Sequence, residues 1–278
     1  MTAATSILIL VLAALLPGER PPVAPAFAAP PAQESPPRPN RPNTNVPISP
    51  AAELKNCLNL IRAKQYDAAR ERLAPLIAAH PQWPRAKFML ALTYHEEQRY
   101  ELAKPLFAET LELDAREHTV RPFYGWCLYY LGEPEGAREQ FDAYLKIKPD
   151  YADAHFAIGL IEFDEDHMDA AVDRFNKTIE ISKASRDPRT EGKARARLGD
   201  VYMRQNHLDK ARDELEKAVE LRTDAYEAYY KLSRVYQRLG NVEKAKWARE
   251  MHEKVREEMH PTTPTEGGAT SRPAPRTP

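Results

Sequence analysis

The sequence contains little glycine, few cysteines and almost no net charge. Its 278 residues include 10 Gly and 2 Cys, and 40 Lys plus Arg stand against 41 Asp plus Glu, for a formal charge of -1. A near-neutral chain has no basic field for a nucleic-acid backbone, so nucleic acid is not expected as a partner. So few glycines argue against a turn-rich all-β fold, whereas 29% charged residues favours exposed, salt-bridged helices. The composition therefore predicts an all-α protein.

Motifs for catalysis, cofactor binding and metal binding are also lacking. The sequence has no Gly-rich phosphate loop, no H-E-x-x-H and no paired C-x-x-C. Residues 164–169 read DEDHMD, but an EF-hand loop needs Gly and Glu where Asp169 and Phe175 stand. Cys57 and Cys127 are expected to be buried and unpaired, because their repeats are not neighbours. We therefore predict no enzymatic activity, no catalytic residues, no cofactor and no metal site.

Long hydrophobic runs are limited to one, Ile7 to Leu16, which has ten residues and is about half of what spans a bilayer. Ala26 and Ala28 form an A-x-A cleavage site after it. These features predict a signal peptide over residues 1–28 and an extracytoplasmic protein, periplasmic or secreted. Because Met1 to Ser6 contains no Lys or Arg, an uncleaved membrane tether formed by residues 7–16 is the alternative.

Proline is concentrated in two flanks, with 12 of the 25 between Pro17 and Pro50 and five more from Pro261 to Pro278. Both flanks have almost no large apolar residues, so they cannot bury enough surface to offset the entropy of ordering. We predict a Pro-rich disordered linker over residues 29–49 and a disordered Pro/Thr-rich tail over residues 260–278. The folded part is then residues 50–259.

An internal repeat with a period of 34 residues organises this folded part. Each repeat has a reference alanine. A small residue stands twelve positions before this alanine, and in five repeats a large apolar residue stands four positions after it. The reference alanines are Ala69, Ala103, Ala137, Ala171, Ala211 and Ala245, with a single step of 40 before Ala211. The small residues are Cys57, Ala91, Gly125, Gly159, Gly199 and Ser233, and the large ones are Leu73, Phe107, Phe141, Phe175 and Leu215. The pattern predicts two antiparallel helices per repeat, with the small residue of the first facing the Ala of the second.

The pattern resembles the tetratricopeptide repeat (TPR), most closely through Leu198, Gly199, Tyr202, Ala211 and Leu215. This resemblance implies a right-handed superhelix, or α-solenoid, of six helix-turn-helix repeats. The repeats are residues 50–83, 84–117, 118–151, 152–191, 192–225 and 226–259. Residues 183–191 are an insertion, predicted to be an extended loop or a lengthened helix end. Asn241 to Met259 is predicted to be a long capping helix.

The resemblance also implies that the first helix of each repeat lines a concave, ligand-binding face. The inward positions form an apolar trough over four repeats and become charged in the last two; residues 50–191 carry a net charge of -6 and residues 192–259 one of +3. We predict an exported, non-catalytic adaptor that binds a peptide or protein partner there. The alternatives are a homodimer or larger assembly closed by the same trough, and burial of these side chains in the core. The candidate binding residues are Leu54, Leu58, Ile61, Phe88, Leu92, His95, Trp126, Tyr129, Tyr130, Phe156, Leu160, Phe163, Arg204, Arg234 and Arg238.

Overall fold

The computed structural model describes residues 49–222 and 224–260, and all regular secondary structure in these ranges is α-helical. The helices are α1 Pro50–Arg62, α2 Tyr66–Ala79, α3 Pro84–Glu96, α4 Tyr100–Leu113, α5 Val120–Tyr130, α6 Pro134–Leu145, α7 Ala152–Asp164, α8 Met168–Ala184, α9 Pro188–Arg204, α10 Leu208–Leu221, α11 Tyr226–Arg238 and α12 Val242–Met259. The predicted all-α fold built from helix pairs is confirmed. The predicted signal peptide, nearly all of the linker and nearly all of the tail lie outside the described residues.

The described residues divide into two compact units, residues 49–144 and residues 145–260. Each unit is built from successive helix pairs that pack on the pair before them in the chain. In the first, α3 contacts both α2 and α4; in the second, α9 contacts both α8 and α10. Within the described residues, no helix is both long enough and apolar enough to cross a membrane.

Local signals in the sequence set the helix starts. Ser49 caps α1 by accepting a hydrogen bond from the Ala52 amide at 3.3 Å, and Pro50 follows it at the first helical position. Asp187 caps α9 in the same way, with the Arg189 and Thr190 amides as donors at 3.1 Å. These caps satisfy amides that have no partner inside the helix.

The turn within each helix pair contains one residue in the left-handed region, at the same position of all six repeats. Its φ angle lies between 59° and 76°. Such a residue at a helix C-terminus lets the chain reverse direction, and glycine adopts this conformation without steric penalty. Only two of the six are glycine, so composition alone does not reveal this turn. The six residues are Lys64, Gln98, Gly132, Asp166, Asn206 and Gly240.

The insertion between the fourth and fifth repeats lengthens two helices. Both α8 and α9 have 17 residues, and only Ser185, Arg186 and Asp187 separate them. Of the two predicted forms, the lengthened helix end is therefore present and the extended loop is not. Since α9 begins at Pro188, the fifth repeat starts four residues before the boundary predicted at residue 192.

Tight packing between the two helices of a repeat forms the core. All six reference alanines are buried, as the repeat pattern predicts. The expected pairing of small residue with alanine differs, however. A Cβ atom added at Gly125 or Gly159 would lie 2.8 Å from the ring of Phe141 or Phe175, and one at Gly199 would lie 2.6 Å from Leu215 Cγ. The small residue therefore makes room for the large side chain four positions after the alanine.

A polar contact that the sequence analysis does not predict also joins the two helices of four repeats. It always connects residues 19 apart, one in the first helix and one near the middle of the second. The pairs are Glu53 with Arg72 at 2.8 Å, Arg121 with Gln140 at 2.9 Å, His155 with Arg174 at 3.4 Å and Arg195 with Glu214 at 2.6 Å. Arg195 is buried and also pairs with Glu191 at 2.7 Å, so this contact is shielded from solvent.

Other sequence expectations are confirmed. Cys57 and Cys127 are buried free thiols. Burial raises their pKa values to about 11 and about 12, so both stay protonated at neutral pH. The long final helix is α12, which Asn241 caps through the Lys244 amide.

The first prediction concerns the small residue that faces a ring. Gly159→Ala should lower the free energy of unfolding by about 1–3 kcal/mol, because the new methyl group enters a filled space against Phe175. Alanine normally stabilises a helix relative to glycine, so the packing effect must exceed that gain. Urea unfolding followed by circular dichroism measures the difference.

Gly136→Ala is the matched control, because a Cβ there meets only the end of the Leu128 side chain, at 3.3 Å. This variant should be as stable as the unmodified protein or slightly more stable. Equal stability of Gly159→Ala and Gly136→Ala would contradict the packing described above.

Candidate partner-binding surfaces

The structure places most of the predicted trough residues of the first unit in the core. Their side chains are at most 6% exposed, so they offer no surface to a ligand. Contacts between neighbouring first helices account for this burial: the rings of Phe88 on α3 and Phe123 on α5 lie 5.6 Å apart. The alternative of burial in the core therefore applies to these residues. They are Leu54, Leu58, Ile61, Phe88, Leu92, His95 and Trp126.

The predicted apolar residues of the second unit are covered to a similar degree. Phe156 and Leu160 are buried, and Phe163 is half-buried. The Arg204 guanidinium lies over the Phe163 ring, 4.9 Å from its centroid, and Arg204 Nη1 donates a hydrogen bond to the Phe163 carbonyl at 3.0 Å. Two predicted binding residues thus contact each other and link successive repeats.

Two of the three predicted arginines bind the turn of the preceding repeat. Arg204 pairs with Asp166 at 3.5 Å, and Arg238 donates a hydrogen bond to Asn206. Asp166 and Asn206 are the left-handed residues of those turns, so both arginines have a structural partner. Arg234 is exposed, and among the described residues it makes no side-chain hydrogen bond or ion pair that would neutralise it.

An aromatic surface stands where α4 begins and α5 ends, and we name Tyr100, Trp126, Tyr129 and Tyr130 the tyrosine surface. The Tyr130 ring stacks on Tyr100 with centroids 4.8 Å apart and on Trp126 at 5.7 Å. Tyr129 meets Trp126 edge-on at 5.7 Å. Tyr130 is 40% exposed, although it stacks on two other rings. The surface therefore presents preformed, partly exposed rings on a rigid base.

Trp126, Tyr129 and Tyr130 are among the residues predicted from the sequence, whereas Tyr100 is not. Tyr100 could have been recognised by its place at the first position of the second helix, because that position is apolar in every repeat. That position holds Tyr66, Tyr100, Pro134, Met168, Leu208 and Val242. Burial raises the pKa of Tyr100, and the neighbouring Tyr130 adds to the rise, so its hydroxyl stays neutral.

His95 lies beneath the tyrosine surface in a cage of aromatic rings. Its ring is 5.4 Å from Tyr100 and 5.9 Å from both Phe107 and Phe123. The side chain is 1% exposed, and neither ring nitrogen has a hydrogen-bond partner. Burial lowers its pKa from 6.5 to about 4, so His95 is neutral at physiological pH. A neutral His95 thus supports the underside of Tyr100.

The acidic turn between α7 and α8 brings Glu162, Glu165 and His167 within 4.8 Å of one another. His167 Nδ1 lies 3.0 Å from a Glu162 oxygen and 3.4 Å from a Glu165 oxygen. Both Glu165 and His167 reach solvent, and exposed acidic groups of this kind are common without a metal ion. A hydrogen bond between His167 and Glu162 connects the two ends of this turn.

The burial of His95 predicts a pH-dependent stability. Its folded-state pKa lies below the unfolded value, so the unfolded chain takes up the proton more readily. The stabilisation is complete above about pH 6.5 and is lost as the pH falls toward 4. Between pH 7.5 and pH 5, His95 should lower the free energy of unfolding by about 2 kcal/mol. Guanidinium unfolding at both pH values gives this difference.

His95→Phe should remove this part of the pH dependence, because the aromatic cage accepts another ring and the titrating group is gone. The buried Glu96 carboxyl is common to both proteins, so its titration cancels in the comparison. His207→Phe, at an exposed position, is the control and should keep the pH dependence of the unmodified protein. The same pH dependence in all three proteins would show that His95 does not titrate as its burial requires.

Comparison with known families supports the repeat assignment. A family model described as "Tetratricopeptide repeat" matches residues 58–118 and 125–186, and one described as "TPR repeat" matches residues 199–240. Together these matches cover more than half of the chain. No curated protein sequence matches it significantly.

Several solved structures have a similar fold, and three of them are compared below. The APC/C hetero-tetramer Cut9-Hcn1 superposes with a TM-score of 0.64 at 17% identity, over 76% of this chain and 41% of that chain. Pseudomonas aeruginosa pilF gives a TM-score of 0.62 at 15% identity, over 77% and 93% of the two chains. YrrB, a TPR protein described as having an unusual peptide-binding site, gives 0.50 at 17% identity, over 66% and 92%.

At these identities the likeness establishes the fold alone, and this chain spans about two fifths of the Cut9-Hcn1 chain that it matches. Family matches, twelve helices in the described ranges and the 34-residue period agree with one another. The chain therefore belongs to the tetratricopeptide repeat family, whose members commonly mediate protein–protein interactions.

Proposed function

We propose that this protein is a non-catalytic scaffold that binds a peptide or protein partner through the tyrosine surface. The observation that carries the proposal is Tyr130, which is 40% exposed although it is stacked between Tyr100 and Trp126. Exposed aromatic rings on a rigid support are typical of residues that dominate the energy of protein interfaces. The proposed site is therefore only the exposed edge of the predicted trough, because most of the other predicted trough residues are buried in the core.

Physical features of the tyrosine surface suit an interface. A tyrosine side chain has only two rotatable torsions, so its ordering on binding costs little entropy. Stacking in the free protein reduces that loss further, because the rings already hold their positions. Tyr129 and Tyr130 combine an apolar ring with a hydroxyl that can donate or accept a hydrogen bond. A partner segment with its own ring or proline would bury apolar area here and still satisfy polar groups at the edge.

One of the predicted arginines of the second unit is available to a partner. Of the three predicted arginines, Arg204 and Arg238 already bind turn residues, whereas Arg234 is exposed. We assign Arg234 the role of attracting an acidic group of the partner. The contribution of such an exposed charge lies mainly in the association rate and falls with salt.

Export is part of the proposal. The run Ile7 to Leu16 and the A-x-A sequence ending at Ala28 support cleavage and an extracytoplasmic location. These residues lie outside those that the structure describes. Cell fractionation of the tagged protein, with N-terminal sequencing of the product, tests this step; a product that keeps residues 1–28 would instead support a membrane tether.

Self-association is the second candidate function, because the last repeat carries several exposed large apolar side chains. Tyr230, Val242, Trp247 and Met259 are 43–72% exposed, and all four lie on α11 or α12. Apolar residues gathered at one end of a repeat stack leave a surface that a second copy can cover. Sedimentation velocity distinguishes the candidates, since a monomer at micromolar concentration argues against self-association.

Substitution of the exposed tyrosines tests the scaffold function. Peptides selected from a displayed random library against the unmodified protein should bind a Tyr129→Ala, Tyr130→Ala double variant at least tenfold more weakly. Truncation of interface tyrosines commonly costs more than about 1.4 kcal/mol, which corresponds to this factor. Isothermal titration calorimetry measures both dissociation constants.

Leu102→Ala is the matched control, since Leu102 is as exposed as Tyr130 in the same unit but is not part of the tyrosine surface. Its affinity for the selected peptides should equal that of the unmodified protein. Circular dichroism checks that each variant stays helical. Peptides that bind the double variant with unchanged affinity would place the binding site elsewhere.

A further inference from the structure

An open apolar pocket lies at the first repeat, away from the tyrosine surface. Its volume is about 530 Å³, within the range of small-ligand sites. The pocket is lined by the first residue of α1, the last residue of α2 and the segment that leads to α3. His80 and Trp83 form its aromatic wall, with rings edge-to-face at 5.8 Å. The lining residues are Pro50, Ala79, His80, Pro81, Gln82 and Trp83.

The corresponding junction of the second repeat is closed by charged pairs. There Arg85 contacts Glu117 at 3.3 Å, and Lys87 contacts Glu109 at 2.6 Å. The residues 34 positions earlier are Ala51, Trp83, Glu53 and Pro75, in the same order. Neither pair can form in the first repeat, and Glu53 pairs with Arg72 instead. The pocket is thus a specific departure from the repeat.

None of the residues that line the pocket is Lys, Arg, Asp or Glu. Leu73 to Pro84 contains no Lys, Arg, Asp or Glu over twelve residues, whereas Phe107 to His118 contains five such residues. Within this stretch, Ala74, Pro75, Ala78 and Ala79 are exposed. A ligand for this site must therefore be apolar and uncharged, because an ion placed here would lose hydration without gaining a partner.

The chain itself carries a segment of this chemistry directly before Ser49 in the sequence. Val46, Pro47 and Ile48 precede Ser49, and Val46 and Ile48 are the only apolar side chains larger than alanine, apart from proline, in residues 29–48. Ile48 is two residues before Pro50, which lines the pocket, and two residues of extended chain span at most about 7 Å. Ser49 has an extended backbone (ψ 147°) and caps α1, which sets the direction of the chain at this point.

We propose that the pocket of His80 and Trp83 binds an uncharged segment in which proline separates two branched apolar residues, and that Val46 to Ile48 of this chain occupies it. The direct link to Pro50 gives the segment an effective concentration in the millimolar range, so a weak contact is sufficient. Aromatic walls are the usual partners of proline-containing segments. Binding also covers apolar surface that the first repeat otherwise leaves exposed to water.

Oxidation of Trp83 tests the proposal in the full chain. Hydroxyl-radical footprinting with mass spectrometry measures the oxidation rate of each tryptophan. A Val46→Asp, Ile48→Asp double variant should oxidise Trp83 at least threefold faster than the unmodified protein, because charged side chains leave the pocket. The exposed Trp247, in the second unit, is the internal reference and should oxidise at the same rate in both proteins.

A Thr44→Asp, Asn45→Asp variant is the matched control, since it adds the same charge to the same flank without changing the apolar segment. Its Trp83 should oxidise as slowly as in the unmodified protein. Equal Trp83 oxidation in both double variants would overturn the proposal.

Discussion

The close approach of the two helices in each repeat is the constraint on which the rest of this structure depends. At Gly125, Gly159 and Gly199 the first helix has no side chain, and a ring or leucine of the second helix fills that space. A small residue and a large one therefore recur at fixed positions of these repeats. The reference alanines complete the contact because their methyl groups are buried in every repeat. The polar pairs 19 residues apart add a directional contact at the other end of the same interface.

Packing between neighbouring repeats then decides which aromatic residues remain available. First helices contact one another through the positions that the family resemblance assigns to a ligand, so Phe88, Leu92 and Trp126 become core residues. What stays accessible is the end of α5, where Tyr129 and Tyr130 stand above Trp126. The same packing buries His95 without a hydrogen-bond partner beneath Tyr100. A titrating group and the tyrosine surface are thus neighbours because both lie at the same junction between repeats.

Some features could be predicted from the residues and others could not. Helix pairs, the capping helix and the buried cysteines follow from spacing and residue type. The left-handed turns are harder to recognise, since Lys64 and Gln98 adopt a backbone conformation that their side chains do not indicate. The polar pairs are hard to recognise in the sequence because their residue types change. The acidic residue comes first in Glu53–Arg72 and the basic residue comes first in Arg195–Glu214, whereas Arg121 binds the side-chain amide of Gln140. A repeated distance with changing residue types has no signature in composition or hydrophobic period.

By itself, the sequence determined the all-α fold and its construction from repeated helix pairs, because small, Ala and large side chains recur at matching positions of the repeat. Only the tertiary structure decided which inward residues reach solvent, since exposure depends on how closely successive first helices approach. It also decided that Arg204 and Arg238 bind turns of the preceding repeat, and that the first repeat has a pocket where the second has ion pairs. These outcomes depend on distances between residues that are far apart in the chain. A periodic pattern indicates on which face of its helix a residue lies, but it does not give those distances.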